Sequence, residues 1–289
     1  VKAYSLPVDG YSLSVRSVGT DDPHAPVIVA IHGMMESSTV WLPVIEALLD
    51  RCRFVLVDLP WNGTQGDQWG RVRSPDAWLE VAVNAFELQP DAFAAHSFGA
   101  SVLLAFLATS GHPCARRTPS VVVSPFFKAD PAEFSWALLR RYIGEFPQFV
   151  AESITQRSGG RPIPRDSLPR MVETACDTFG VGNWMEFWRL FARMPSLDMR
   201  ALTQPTLVIT GADDFSSPPA DQRALCSAIH RCELRLLPAA RHFLLDSHRE
   251  TVARLVTEFV ATHVPGASAP RSFCLPDEHA GLFHQHPHY

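Results

Sequence analysis

Ala95-His96-Ser97-Phe98-Gly99 sets a serine between a short apolar run and a run of strong helix formers, with small residues two places before and two places after it. A turn this tight lifts its central side chain off the end of a sheet and tolerates only small neighbours at those positions. Ser97 is therefore a candidate nucleophile. A hydroxyl needs a general base, and the base needs an acid to orient it. Two downstream segments offer both. Pro205 to Gly211 is an apolar run that ends in glycine and leads into Ala212-Asp213-Asp214, and Leu234 to Pro238 leads into Ala239-Ala240-Arg241-His242-Phe243. Upstream, Pro26 to Ile31 leads into His32-Gly33-Met34. The loop there and the residue after the serine, Phe98, would supply backbone N–H groups to a developing oxyanion. Together these are the parts of an acyl-transfer site.

The elements that must position these groups follow from periodicity. Residues 2–18 read as a hairpin turning at Asp9-Gly10. A helix is expected over 37–49, a strand over 53–59, and a helix over 74–88 opened by Ser74-Pro75. A strand at 91–95 precedes the serine and another is expected at 120–127. From about 128 to 200 no strand-like run occurs, and four helical stretches can be drawn near 131–144, 147–157, 167–179 and 183–194, with a flexible break at 156–165. Alternation then resumes, with a strand at 205–211, a helix near 219–230, a strand at 233–238 and a last helix at 247–262. Strand and helix in alternation imply a mostly parallel sheet covered on both faces, of about eight strands. The loops after its strands gather at one edge, where Ser97, an aspartate at 213 or 214, and His242 would meet. His248 would begin the last helix, and Ser124-Pro125 offers no alternative carboxylate.

His32-Gly33-Met34, Asp58-Leu-Pro-Trp-Asn-Gly63, the turn around Ser97, Gly211-Ala-Asp-Asp214 and Arg241-His242-Phe243 resemble, in order and spacing, the α/β-hydrolase superfamily, in its serine-nucleophile branch with a helical cap. Two positions depart from the pattern: Ala95 stands for glycine in the elbow, and Asn62 for a common histidine. Neither removes a catalytic group. The resemblance implies an α/β-hydrolase core over 1–127 and 201–263, a helical cap over 128–200 and a C-terminal tail over 264–289. Family spacing after Gly211 favours Asp214 over Asp213 as the acid. It implies an oxyanion hole from the N–H groups of Met34 and Phe98, a structural Asp58, and scaffolding roles for His32 and His96. Glu36 is expected to face solvent.

Trp184, Phe187, Trp188 and Phe191 fall at i, i+3, i+4 and i+7 on one helix face of the cap. With Phe126, Phe127, Phe134 and Trp136 they would offer aromatic surface to a substrate, and Trp136, Trp184 and Trp188 are the candidate pocket residues. That favours an apolar or aromatic acyl group. Arg157, Arg161, Arg165 and Arg170 read as solvated loop residues that would meet the phosphates of a thioester carrier if the substrate were carrier-bound.

The chain has 289 residues, 46% hydrophobic, with a net charge of −5, which gives no reason to expect nucleic acid as a partner. No apolar run reaches the roughly 18 residues that span a bilayer, and the first residues lack the apolar stretch of a secretory leader. Cys52, Cys114, Cys176, Cys226, Cys232 and Cys274 are scattered, which reads as separate free thiols in a reducing cytosol, hence a cytoplasmic protein. No metal, nucleotide or redox motif is present, so no cofactor is implied. His284, His286 and His288 alternate in the tail without a carboxylate or cysteine framework and read as solvated. The expected activity is that of a serine hydrolase of esterase, thioesterase or lactonase type, working on an ester or thioester through an acyl-enzyme. A hydrolase of C–C bonds, a cofactor-free lyase or oxygenase, and a slow-turnover ligand-binding receptor remain open.

Overall fold

Four short runs of wholly buried residues form the centre of the molecule: β3 (Val27–Ile31), β5 (Ala92–His96), β6 (Ser120–Val123) and β7 (Thr206–Gly211). The structure is a computed structural model and describes residues 2–264 except 47, 49 and 50. With β1 (Lys2–Val8), β2 (Tyr11–Gly19), β4 (Arg53–Asp58) and β8 (Cys232–Leu237), these strands build one eight-stranded sheet in the order β1-β2-β4-β3-β5-β6-β7-β8. The hairpin β1–β2 and its pairing to β4 are antiparallel, and every other pairing is parallel.

Alternate side chains of each strand feed two separate cores. Val27, Val29 and Ile31 point into one, with helices α2 (Pro75–Ala85), α3 (Phe98–Thr109), α4 (Pro113–Arg117) and α7 (Pro219–Ala228). Ile28 and Ala30 point into the other, under α1 (Leu42–Ile45), α8 (Leu244–Ser247) and α9 (Arg249–His263). Register brings the strand ends level: Ile31 pairs with Ala95, His96 with Val123, Val123 with Ile209, and Gly211 with Leu237. The loops that follow therefore open at one edge of the sheet.

Between β6 and β7 lies the cap, made of α5 (Trp136–Arg157) and α6 (Ser167–Arg193). The four helices expected there are two. Helix α5 runs on through Pro147, and α6 bends at Gly180, whose φ of 70° and ψ of 166° are not helical. Polar contacts seat the cap on both sides. Asn183 accepts from the Trp69 indole at 2.8 Å, the Gly182 N–H donates to Asp67 at 2.8 Å, and Arg193 pairs with Asp76 at 2.9 Å. Across the cleft, the Tyr142 hydroxyl donates to the Ser216 carbonyl at 2.8 Å, and Lys128 bridges Glu133 and Asp221.

Other expectations shift in detail. The helix over 37–49 is a 3-10 turn, Ser38–Trp41, followed by the single turn α1; Asp58 accepts from both the amide and the hydroxyl of Ser38 and so fixes its start. The strand expected to reach 127 stops at Val123, because Ser124 takes φ of 50° and a proline follows. The expectation of separate thiols is corrected at one pair. Cys226 and Cys232 are joined by a disulfide, their Cα atoms 5.2 Å apart where the chain turns from α7 into β8. Cys52, Cys114 and Cys176 are free. No described helix is long and apolar enough to cross a membrane. The tail over 265–289, with Cys274 and the three alternating histidines, lies outside the described residues.

At Gly99 the backbone geometry of the elbow leaves no room for a side chain. A Cβ there would lie 2.2 Å from the His32 carbonyl oxygen and 3.0 Å from its carbon, both backbone atoms. Gly99→Ala should cost about 2 kcal/mol of stability; urea unfolding checks this, with a lower midpoint at unchanged slope as the expected result.

Candidate active site

Strand β5 ends at His96 and α3 begins at Phe98, so the whole reversal falls on Ser97. Its φ of 56° and ψ of −125° lie in a region that L-residues seldom occupy. The strain is held by the Ser97 N–H, which donates to the Val123 carbonyl at 2.8 Å, and by the Ser97 carbonyl, which accepts from Ala100 and Ser101 in the first turn of α3. Small residues make this possible: Ala95 is fully buried in the sheet, and Gly99 rests on the His32 carbonyl.

The Ser97 hydroxyl lies 2.8 Å from His242 Nε2, and His242 Nδ1 lies 2.9 Å from Asp214 Oδ2. A carboxylate can only accept, so Nδ1 carries the proton and Nε2 is left to accept from the serine. The other Asp214 oxygen accepts from the N–H and hydroxyl of Ser216 and from the Ser217 N–H, at 2.8–3.0 Å. Burial pushes the Asp214 carboxyl up, but the facing imidazole and these hydrogen bonds outweigh it and hold the acid below its ordinary pKa. Asp213 is exposed, and its contact is a backbone one, to the Ala240 carbonyl. His242 is completely buried, and its ring is flanked by Phe126, Phe149 and Phe243 with centroids 4.9–5.3 Å away. The Ser124 hydroxyl donates to the His242 carbonyl at 3.2 Å and fixes the loop that carries it.

On the other side of Ser97 the loop after β3 folds into a tight turn. Met35 takes φ of 58°, and its N–H donates to the Trp61 carbonyl at 2.8 Å. His32 Nδ1 donates to the Gly33 carbonyl while Nε2 accepts from the Leu59 N–H, which defines a neutral ring; burial lowers its pKa. Met34 and Phe98 line the same cavity as Ser97, and among the described residues neither N–H has an intramolecular acceptor. They are free to receive a charged oxygen.

Glu36 does not face solvent. Its side chain is buried, with His96 Nδ1 at 2.9 Å, Arg157 at 2.7 Å and the Gly33 N–H at 2.9 Å. Burial pushes its pKa up, yet His96 and Arg157, with the Gly33 amide, bring it down to about 2. The partners lie 60 and 121 residues away, so local pattern carried no signal for this burial. Arg157 is accordingly an ion-paired residue at the end of α5. Ser216 is the other site residue that the sequence reading missed; a serine two places after the acid was its only signal.

A cavity of about 650 Å³ opens over Ser97 beneath the cap. Its wall is mainly aromatic and aliphatic, with Phe146, Phe149, Phe179, Trp184 and Phe187 facing Phe126 and Phe243 of the core. Of the three tryptophans expected there, Trp184 alone lines it. Trp136 is 70% exposed at the start of α5. Trp188 packs edge-on against Phe134, Tyr142 and Phe191 inside the cap, one turn beyond the cavity. The four-residue stripe thus divides, Trp184 and Phe187 to the pocket and Trp188 and Phe191 to packing. Among the described residues no cluster of side chains could hold a metal ion.

The model of the alpha/beta hydrolase family matches residues 28–255. A pimeloyl-[acyl-carrier protein] methyl ester esterase of Xanthomonas oryzae pv. oryzae is 25% identical over 255 residues, covering 83% of this chain and 96% of that protein. Among solved structures, a thermophilic esterase from Thermogutta terrifontis superposes with a TM-score of 0.63 at 22% identity, covering 92% of this chain and all of the other. The enol-lactonase from Burkholderia xenovorans gives 0.61 at 18%, covering 89% and 99%. Those two likenesses are of fold.

The divided stripe gives contrasting mutants. Trp184→Ala should lower kcat/KM for long apolar acyl groups about 10- to 100-fold and spare acetyl esters. Trp188→Ala should instead cost about 3 kcal/mol of stability and treat all substrates alike. A chain-length series of esters beside thermal melts separates the two. The Glu36 carboxylate titrates at about 2 against an ordinary 4.5. Its contribution is therefore complete above about 4.5 and is lost as pH falls towards 2, on the order of 3 kcal/mol. Melting temperature should decline across that window, and Glu36→Gln should flatten the decline; parallel acid limbs would count against the assignment.

Proposed function

The chain belongs to the alpha/beta hydrolase family, and from that footing we propose that it is a serine hydrolase cleaving an ester or thioester, free or carrier-bound, of an apolar or aromatic acyl group. The observation that carries the reading is the unbroken hydrogen-bonded line from Ser97 through His242 to Asp214, opening into an apolar cavity. In this reading residues 128–200 form the substrate-selecting unit on a catalytic core of 1–127 and 201–263.

His242 Nε2 removes the Ser97 proton as Oγ attacks the acyl carbon. Asp214 keeps the imidazole in the required tautomer and stabilises the imidazolium that forms. The N–H groups of Met34 and Phe98 receive the negative charge that develops on the acyl oxygen, inside an aromatic enclosure where such hydrogen bonds gain strength. His242 then returns the proton to the departing alcohol or thiol. Water, deprotonated by the same imidazole, releases the acid and restores Ser97. The acyl chain lies along the wall formed by Phe146, Trp184 and Phe187. The methyl ester of a carrier-bound acid, the substrate named for the bacterial relative, is one member of this class.

Ser97→Ala should lower kcat about 10⁴- to 10⁶-fold with folding intact, and covalent labelling by a fluorophosphonate should vanish with it. Asp214→Asn should fall by about 10⁴ through loss of the correct tautomer, while Asp213→Asn stays close to wild type. A wild-type enzyme that neither labels nor turns over any member of an ester and acyl-thioester panel would sink the reading.

A further inference from the structure

Glu36 is a buried carboxylate that the triad does not use, and it touches three separate parts of the site. Oε2 accepts from the Gly33 N–H and from His96 Nδ1, each at 2.9 Å. Gly33 precedes Met34, one of the two proposed oxyanion donors, and His96 precedes Ser97. A Cβ placed on Gly33 would lie 2.6 Å from this oxygen and 3.1 Å from the Ser97 Cβ, so the carboxylate is wedged against the turn beside the nucleophile. Among the described residues His96 Nε2 has no partner, so Glu36 supplies that ring's hydrogen bond. The remaining oxygen, Oε1, accepts from Arg157 at 2.7 Å. Arg157 is the last residue of α5, the helix whose Phe146, Phe149 and Val150 line the cavity.

We propose that Glu36 is a positioning residue that couples the seating of the cap to the geometry of the oxyanion loop. The proposal rests on the serine-hydrolase reading above. Arg157, at the end of α5, reaches from the cap to Glu36. The paired carboxylate in turn holds the Gly33 N–H and His96, and with them the Met34 amide and the elbow. Without the charge, the two buried donors face at best one neutral, weaker acceptor, and the turn is free to relax. Without Arg157 the carboxylate keeps its inner partners but loses the pull from the cap. The two side chains thus act in series, Arg157 through Glu36.

The test uses the full chain and a short acetyl ester, which makes few contacts with the cap. Glu36→Gln should lower kcat about 10- to 100-fold with KM changed less than about threefold, the mark of misplaced donors. Arg157→Gln should lower kcat about three- to tenfold, and the double variant should be no worse than Glu36→Gln alone within about twofold, because effects in series do not multiply. Hydrogen exchange over residues 32–38 should quicken in Arg157→Gln. Multiplying effects, a change confined to KM, or wild-type kcat or exchange in Arg157→Gln would each overturn the proposal. Should Glu36→Gln fail to fold, Arg157→Gln, altered at a half-exposed helix end, decides through kcat and exchange. A wild type that neither labels with a fluorophosphonate nor turns over the ester and acyl-thioester panel would end the serine-hydrolase reading, and exchange in Arg157→Gln would still decide the coupling.

Discussion

Helix α3 approaches the end of β3 more closely than any side chain at position 99 would permit, and the site depends on that approach. The contact between Gly99 and the His32 carbonyl sets how sharply the chain must turn at Ser97, hence the left-handed φ that lifts the hydroxyl clear of the sheet. The same carbonyl belongs to the residue that opens the loop carrying Met34, proposed above to bind the oxyanion. One backbone contact thus locates the nucleophile relative to the groups that would bind the developing charge. Strain at Ser97 is tolerable because its neighbours on both sides are locked into regular elements.

Around that contact the polar groups of the Ser97–His242–Asp214 line are buried and hydrogen-bonded to one another. Asp214 receives four hydrogen bonds, and His242 is enclosed by aromatic rings. A buried carboxylate in such surroundings depends on its hydrogen bonds, and removing its partners would leave the charge stranded. The second buried acid, Glu36, obeys the same rule with different partners. Two buried carboxylates therefore lie near Ser97, one hydrogen-bonded to the imidazole of His242 and the other to the Gly33 amide and His96.

What was legible in the sequence is what backbone sterics and local order dictate. Ala95 and Gly99 betray the elbow because the turn permits nothing larger. His242 and Asp214 sit just past apolar runs because a parallel sheet delivers its functional loops at one edge. Less legible was anything decided by which way a helix rolls. The stripe from Trp184 to Phe191 announces a buried face, but whether a ring meets the cavity or its neighbours depends on the bend at Gly180 and on the anchors at Asn183 and Arg193. Pro147 looked like a boundary, yet α5 continues through it. The burial of Glu36 and the pairing of Cys226 with Cys232 depend on neighbours that come together only in the folded chain.

The bend at Gly180 divides α6 into stretches under different loads. Beyond it, Asn183, Glu186, Phe187, Leu190 and Phe191 are buried, and this half is fastened to the core. Before it, Arg170, Met171 and Thr174 are exposed, yet they line the cavity mouth. Changes at the exposed positions of the first half can therefore reshape the entrance at little cost to folding, while the buried positions of the second half tolerate few. The helix carries an adaptable lip on a buried hinge-post, so descendants of this scaffold could explore new acyl partners one exposed position at a time.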